Sequence, residues 1–258
     1  MRAASSASLS GQAALVTGAG HGIGCALARA IALEGAAVFL VDVQADTLRA
    51  TLGALRGEGL RADGALIDLA VPGAGLMAVD QARSALGPLH MLVHSASPRR
   101  CESDRWDQVQ PEVWDAMYRV NVTAGFDIAR HMARHMIADG IAGRMLFLTS
   151  LHAATPRNLP HYSSSKAALL MLMRELARSL AAHGIRVNAL TPGAIAAGGF
   201  EPDPSLAGKI PLGRLGEAEE VAAMGLVLLI DRYARYVTGS EVVVDGGLGL
   251  YNWFDPAS

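Results

Sequence analysis

The chain has 258 residues, 51% of them apolar and 5% aromatic, with 22 basic against 24 acidic side chains. That length suits one large α/β unit with a substantial core, and the balanced charge leaves no electrostatic footprint for nucleic acid. No apolar run approaches the ~20 residues that span a bilayer, and two cysteines, Cys25 and Cys101, are too few for a disulfide framework.

In chain order, residues 1–10 are small and polar and lack the apolar stretch of a secretory signal. They are expected to be a flexible tail ahead of a single domain, residues 11–258, in a cytoplasmic protein. Residues 13–17 read as a strand and 23–34 as a helix ending before Gly35. Residues 37–41 are a continuous apolar run, as in strands buried on both faces. A helix follows at 45–57, a short strand at 64–68, a helix at 76–86 and a strand at 91–94. After a polar loop, 111–136 reads as one long helix. Then come a strand at 144–149, a helix at 162–183 and a strand at 186–190. Residues 192–210 are rich in Gly and Pro and read as a loop. The helix at 217–230 opens on acidic residues, as its macrodipole favours, and 241–244 is the last strand.

Seven strands alternating with helices predict an α/β fold: a Rossmann-like, doubly wound parallel sheet with helices on both faces, in three layers. Thr17, Asp42, Asp68, His94, Ser150 and Thr191 all fall at carboxyl ends of strands. In such sheets ligands bind along that edge.

Two patterns carry chemistry. Gly18, Gly22 and Gly24, with Gly20 between them, join the first strand to a helix. Glycine there lets backbone amides approach a pyrophosphate at a helix N-terminus. Asp42 ends the second strand roughly 20 residues on, where an acid accepts hydrogen bonds from an adenosine ribose. Its charge would repel a 2′-phosphate, and the following Val43 and Gln44 offer no compensating base. NAD is therefore the expected cofactor. The second pattern is Tyr162 and Lys166, one helical turn apart, with Ser150 closing an earlier strand. Phenol has a pKa near ~10, too high for base chemistry at neutral pH, and a neighbouring ammonium lowers it. Ser150 can then hold the oxygen of an alcohol or carbonyl while Tyr162 exchanges its proton.

These residues stand in a longer series: TGAGHGIG (17–24), VDV (41–43), NV (121–122), SLH (150–152), YSSSK (162–166), RVNALTPGAI (186–195), PLGRLGEAEEVA (211–222) and VTGSEVVVDGG (237–247). In this order the set resembles the short-chain dehydrogenase/reductase family over residues 11–247, near to its NAD-dependent sugar and polyol dehydrogenases and its 3-oxoacyl carrier-protein reductase-like members. The resemblance implies a catalytic tetrad of Asn121, Ser150, Tyr162 and Lys166, with Asn121 holding a water that links Lys166 to solvent. It implies cofactor contacts from Gly18, Gly20, His21, Gly22, Ile23, Gly24, Asp42, Val43, Asp68, Leu69, Ser95, Ala96, Tyr162, Lys166, Pro192, Gly193 and Ile195. It also implies a homotetramer or homodimer, with helices 111–136 and 162–183 in the association. No metal site is expected.

The sequence departs from the family pattern in places. The usual Asn-Asn-Ala-Gly after the fourth strand is His94-Ser95-Ala96-Ser97, which adds polar groups near the nicotinamide ribose. Ala197 stands where a threonine is usual. The separation of Ser150 from Tyr162 is one residue short, so Thr149 competes as the aligned residue; Ser150 is preferred because the intervening loop absorbs a deletion more easily than a strand end.

The substrate wall is expected from Ser97, His152 and Asn158, joined by Arg99, Arg100, His161 and residues 196–208. These side chains suit a sugar, polyol or hydroxy acid, so the expected activity is NAD-linked oxidation of a small polar secondary alcohol. An NADPH-dependent 3-oxoacyl carrier-protein reductase and a nucleotide-sensing regulator without turnover are the competing readings. The apolar end, residues 250–254, is expected to dock near 196–208 on the same or a neighbouring protomer.

Overall fold

The computed structural model describes residues 8–101, 103–197 and 204–250. Strands β1 (Ala13–Thr17), β2 (Ala37–Asp42), β3 (Ala62–Leu66), β4 (Met91–His94), β5 (Arg144–Leu148), β6 (Arg186–Pro192) and β7 (Glu241–Val244) form one sheet. Its order is β3-β2-β1-β4-β5-β6-β7 and every pairing is parallel. Strand order reverses between β1 and β4, the crevice where such sheets bind ligands.

Period-two alternation divides the inner strands between two cores. Ala13 and Leu15 of β1 face one core, built on α3 (Ala74–Leu86), α5 (Gly125–Ala138) and α6 (Pro160–Leu180). Ala14 and Val16 face the other, built on α1 (Gly22–Leu33), α2 (Ala45–Gly57) and α7 (Ala218–Leu229). The three-layer fold read from the sequence is the fold observed. No helix among the described residues is long and apolar enough to cross a membrane.

Several boundaries differ from the sequence reading. β3 runs from Ala62 to Leu66 rather than over 64–68, because its register is set by pairing Val38 with Ala62 and Asp42 with Leu66. It is a half-exposed edge strand of sequence Ala-Asp-Gly-Ala-Leu, so it carries little apolar signal. Gly64 lies inside it, where a Cβ would approach the Leu40 carbonyl oxygen at 2.5 Å. Asp68 therefore falls beyond the strand. The expected tail does not extend to residue 10: Leu9 is buried in the α1 core and its N–H donates to the Glu34 carbonyl at 2.8 Å.

The expected uniform helix over 111–136 is three segments. α4 (Pro111–Tyr118) runs into a π-helical stretch, Arg119–Ala124, and then into α5. Single wide turns of this kind are rare and gather at functional sites; Asn121 sits within this one.

At the opposite edge of the sheet, Arg144 opens β5 and Arg186 opens β6, and both grip Asp231 at the start of α8 (Asp231–Ala234). Arg144 Nη2 lies 2.6 Å from Asp231 Oδ2 and Arg186 Nη2 lies 3.1 Å from Oδ1.

Candidate active site

The turn after β1 is shaped for close approach. Gly18 has φ +64°, the left-handed region that costs a side chain, and a Cβ there would lie 2.7 Å from Ala96 Cα. A Cβ on Gly24 would collide with the Gly18 carbonyl. α1 then begins at Gly22 with no side-chain cap from His21, so its first N–H groups are open to an anion. Ile23 turns inward against the α1 core.

Asp42 is tied to this turn. Its Oδ2 accepts from the Gly20 N–H at 2.8 Å and its Oδ1 from the Gln44 N–H at 2.9 Å. The two bonds fix a carboxylate beside the glycine cradle, while the Val43 side chain is exposed. Asp68 is exposed two residues past β3 and its Oδ1 accepts from the Ala70 N–H at 2.9 Å. The Leu69 side chain is buried in the core, so only its backbone faces a ligand. Across the switch point, Gly193 packs so closely on Asp245 that a Cβ would sit 2.5 Å from the Asp245 Cβ. Pro192 ends β6, and the buried Ile195 is bridged to Gly216. The uncapped helix start, the glycine cradle and the carboxylate at the end of β2 fit a dinucleotide.

The pair expected to carry proton transfer stands at the carboxyl end of β5. Tyr162 and Lys166 occupy the first turns of α6, which Pro160 starts without losing a needed N–H. Lys166 is buried; its Nζ donates to the Leu148 carbonyl at 2.9 Å and lies 5.7 Å from the centre of the Tyr162 ring. The Arg100 guanidinium lies 4.9 Å from the same ring centre. Ser150 and Arg100 stand close enough to the phenol to lower its pKa. Thr149 faces elsewhere: its hydroxyl donates to the Leu190 carbonyl at 3.0 Å and lies 2.6 Å from Thr191 Oγ1. Ser150, not Thr149, is the hydroxyl aimed at Tyr162.

Burial alone would raise the Tyr162 pKa, but Lys166, Arg100 and the nearby Ser150 more than offset it and hold it below the usual phenol value. Burial pushes the Lys166 ammonium down; Tyr162 opposes that shift and Arg100 adds to it.

Asn121 is fully buried in the wide turn. Its Nδ2 donates to Ser165 Oγ at 2.9 Å, and Ser165 in turn donates to the Tyr162 carbonyl at 2.8 Å. Asn121 Oδ1 is a buried acceptor without a protein partner, a position that suits an ordered water.

His94 does something other than line the ribose site. It is 1% exposed, with Nδ1 3.0 Å from Thr17 Oγ1 and Nε2 3.3 Å from the Asn121 carbonyl oxygen. Burial, and then the charge of Lys166, lower its pKa to about 4. The imidazole is an internal strut, and the departure from the family pattern faces inward at this residue. The polar groups beside the cradle are instead the Ser95 and Ala96 N–H groups, which both donate to Thr17 Oγ1 at 3.2 Å.

Of the expected substrate wall, His152 stands near the phenol, ring centres 6.1 Å apart, with its Nδ1 3.2 Å from the Thr155 carbonyl oxygen. Asn158 is exposed and is the one described non-glycine residue with positive φ, +58°; Asn tolerates that region better than most residues. Ser97 reaches Met117 Sδ at 3.8 Å. His161 is not a loop-surface residue: its ring is fully buried, both nitrogens lack hydrogen bonds, and Asp104 Oδ2 is 3.7 Å from Nε2. The sequence reading placed Arg100 in the wall but missed its contact with the phenol; nothing in the spacing from 100 to 162 announces it. Residues 198–203 and 251–258, including most of the expected docking end, lie outside the described residues; Leu250 itself is exposed.

The chain is similar to known proteins over nearly its whole length. Residues 18–249 match a family model described as enoyl-(acyl carrier protein) reductase. The chain is 32% identical over 250 residues to gluconate 5-dehydrogenase of Gluconobacter oxydans, covering 93% of this chain and 96% of that one. It is 35% identical over 257 residues to the L-tagatose-forming galactitol 2-dehydrogenase of Cereibacter sphaeroides, covering 94% and 97%. A short-chain type dehydrogenase/reductase from Mycobacterium marinum superposes with TM-score 0.87 at 33% identity, covering 94% and 97%. With its parallel sheet, glycine cradle and Ser-Tyr-Lys cluster, the chain belongs to the short-chain dehydrogenase/reductase family of NAD(P)-dependent oxidoreductases.

Proposed function

We propose that the protein is a dehydrogenase that uses NAD to oxidise a small polar secondary alcohol, a sugar, polyol or hydroxy acid. The observation that carries this reading is the convergence of Ser150, Lys166 and Arg100 on the Tyr162 phenol. Glycines 18, 20, 22 and 24 and the start of α1 would hold the pyrophosphate, Asp42 the adenosine ribose, and Lys166 the nicotinamide ribose. When bound, the nicotinamide supplies the acceptor for the hydride leaving the carbinol carbon.

The chain's own residues manage the proton and the oxygen. Ser150 orients the substrate hydroxyl. Tyr162, as phenolate, takes its proton while the C–H bond gives up its electron pair, so a ketone forms. Lys166 and Arg100 stabilise the phenolate before the transfer. Asn121 Oδ1, through an ordered water, offers the onward route toward Lys166. In the reverse direction the phenol donates the same proton to the carbonyl oxygen. Asp42 favours NAD because its fixed charge beside the cradle disfavours a second phosphate on the ribose.

The relatives named above act on a sugar acid and a sugar alcohol, which supports the polar-substrate reading. The test is NADH formation by the purified protein with a panel of aldonates, hexitols, pentitols and aldoses. Reduction of 3-oxoacyl thioesters with NADPH is the comparison arm. Turnover of a polyhydroxylated substrate, lost in Tyr162→Phe, is the expected result. Activity confined to the acyl thioesters, or none in either arm, overturns it.

A further inference from the structure

A second cluster of potential ligands lies away from the catalytic edge, in the groove between α3 and α5. His131 and His135 are four apart on α5 and so share one helix face. Their ring centres are 4.7 Å apart with planes inclined by 76°. Asp80 approaches from α3, its Oδ1 2.8 Å from His131 Nε2. One donor atom from each of the three lies within 4.8 Å of the others.

The nitrogen at the back of the groove is the informative one. His135 Nε2 is buried and makes no hydrogen bond. Leaving such a group unsatisfied costs ~1–3 kcal/mol, and a native fold that keeps one calls for an explanation. Burial first, then the charges of Arg83 and His131, hold His135 below the usual imidazole value. Arg83 is engaged by Asp139 at 2.8 Å. The charged groups facing the pair are thus two acids, Asp80 and Asp139, and one base, Arg83.

We propose that Asp80, His131 and His135 form a binding site for a divalent transition metal of the zinc type, tying α3 to α5. Two imidazoles and one carboxylate are the donors that zinc accepts at about 2.0–2.2 Å, with a water completing the tetrahedron. The mixed nitrogen and oxygen set disfavours magnesium and calcium, which take oxygen ligands. Donors on one ion at that bond length stand less than about 4.2 Å apart, so binding draws the three inward by small side-chain rotations. The ion takes no part in hydride transfer: His131 and His135 lie about 15–20 Å along the helix from Asn121, at 1.5 Å per residue. Its consequence is stability, since an ion held by both helices binds the folded chain alone.

The experiment uses the full-length protein, purified without a histidine tag and freed of metal with chelator. Calorimetric titration with zinc chloride is paired with thermal melts, and with the visible spectrum after cobalt(II) addition. The expected result is one saturable site, a melting temperature that rises with zinc, and cobalt bands of nitrogen/oxygen coordination without thiolate charge transfer. Magnesium should have no effect on the melt. His135→Ala and Asp80→Asn should each weaken zinc binding by roughly 10–100-fold or more while NADH formation continues. His131→Ala gives a third position should either fold poorly. Zinc affinity unchanged in these variants, cobalt–thiolate bands from Cys25 or Cys101, or no saturable binding overturns the proposal.

Discussion

The hydroxyl of Thr17 lies 3.0 Å from Nδ1 of His94, deep under the glycine turn. Thr17 Oγ1 already accepts from the Ser95 and Ala96 N–H groups, so its own proton goes to the imidazole. Nδ1 is then the acceptor, and Nε2 carries the proton it donates to the Asn121 carbonyl at 3.3 Å. One neutral ring thus joins the strand that begins the cofactor cradle to the wide turn that holds Asn121.

That strut gives the fold an acid limit. The folded pKa of His94 is about 4, below the ~6.5 of an unfolded histidine. Between those values the unfolded chain binds the extra proton, so stability is full above about pH 6.5 and falls as pH drops toward 4. The loss should be on the order of 3 kcal/mol, at 1.36 kcal/mol per pKa unit. His94→Asn should flatten the dependence of melting temperature on pH across that window. An unchanged slope would show that another group sets the acid limit.

Tyr162→Phe should reduce turnover by ~10²–10⁴-fold, the usual worth of a positioned proton-transfer group. NADH binding, followed by fluorescence, should stay within a few-fold, because the ring is preserved. Near-native turnover would remove Tyr162 from the acid/base role.

Arg100 supplies a second positive charge beside the phenol. Alcohol oxidation by the parent enzyme should rise with pH to a plateau reached below the ordinary phenol pKa of ~10. Arg100→Ala should move that rise to higher pH, and Lys166→Met should move it further and weaken cofactor binding as well. Coincident pH profiles for Arg100→Ala and the parent would mean that Arg100 does not act on the phenol.

Asp42→Ala should weaken NAD binding and narrow the preference over NADP, because it removes the carboxylate proposed to meet the ribose. Comparable kcat/KM for both cofactors in the unmodified enzyme is the outcome that removes Asp42 from this role.

Gly18→Ala should be costly twice over. The left-handed backbone disfavours a side chain, and the new methyl would press on Ala96. A loss of at least about 2 kcal/mol follows from these terms together, a fall in melting temperature of ~4–8 °C for a chain of this size. A variant as stable as the parent would mean that the turn has another conformation available.

The sheet was legible because buried parallel strands are apolar runs: β1 and β4, buried throughout, stand at the limits read from the sequence. β3 was misplaced because an edge strand with Asp63 and Gly64 at its centre has no such run. The wide turn at 119–124 was invisible, since apolar spacing across it still reads as an ordinary helix. At the site, the pair Tyr162 and Lys166 is a local signal, one turn of one helix. Contacts between distant segments leave none, and Arg100 against Tyr162, His94 between Thr17 and Asn121, and Asp80 against His131 were found only in three dimensions. For the last, the His-x-x-x-His spacing on α5 was half of the available clue.

The clasp of Arg144 and Arg186 on Asp231 has a consequence for how the molecule divides its tasks. Parallel strands place every residue that opens a strand at one rim and every residue that closes one at the other. From Arg144 to Ser150 the chain advances about 20 Å at 3.3 Å per residue, and Coulomb energy falls with distance. With Asp231 offsetting part of their charge, the arginines of the fastening rim act only weakly on Tyr162 at the other. Fastening can be strengthened or weakened there without retuning the proton chemistry, and the catalytic loops can vary without unfastening the sheet.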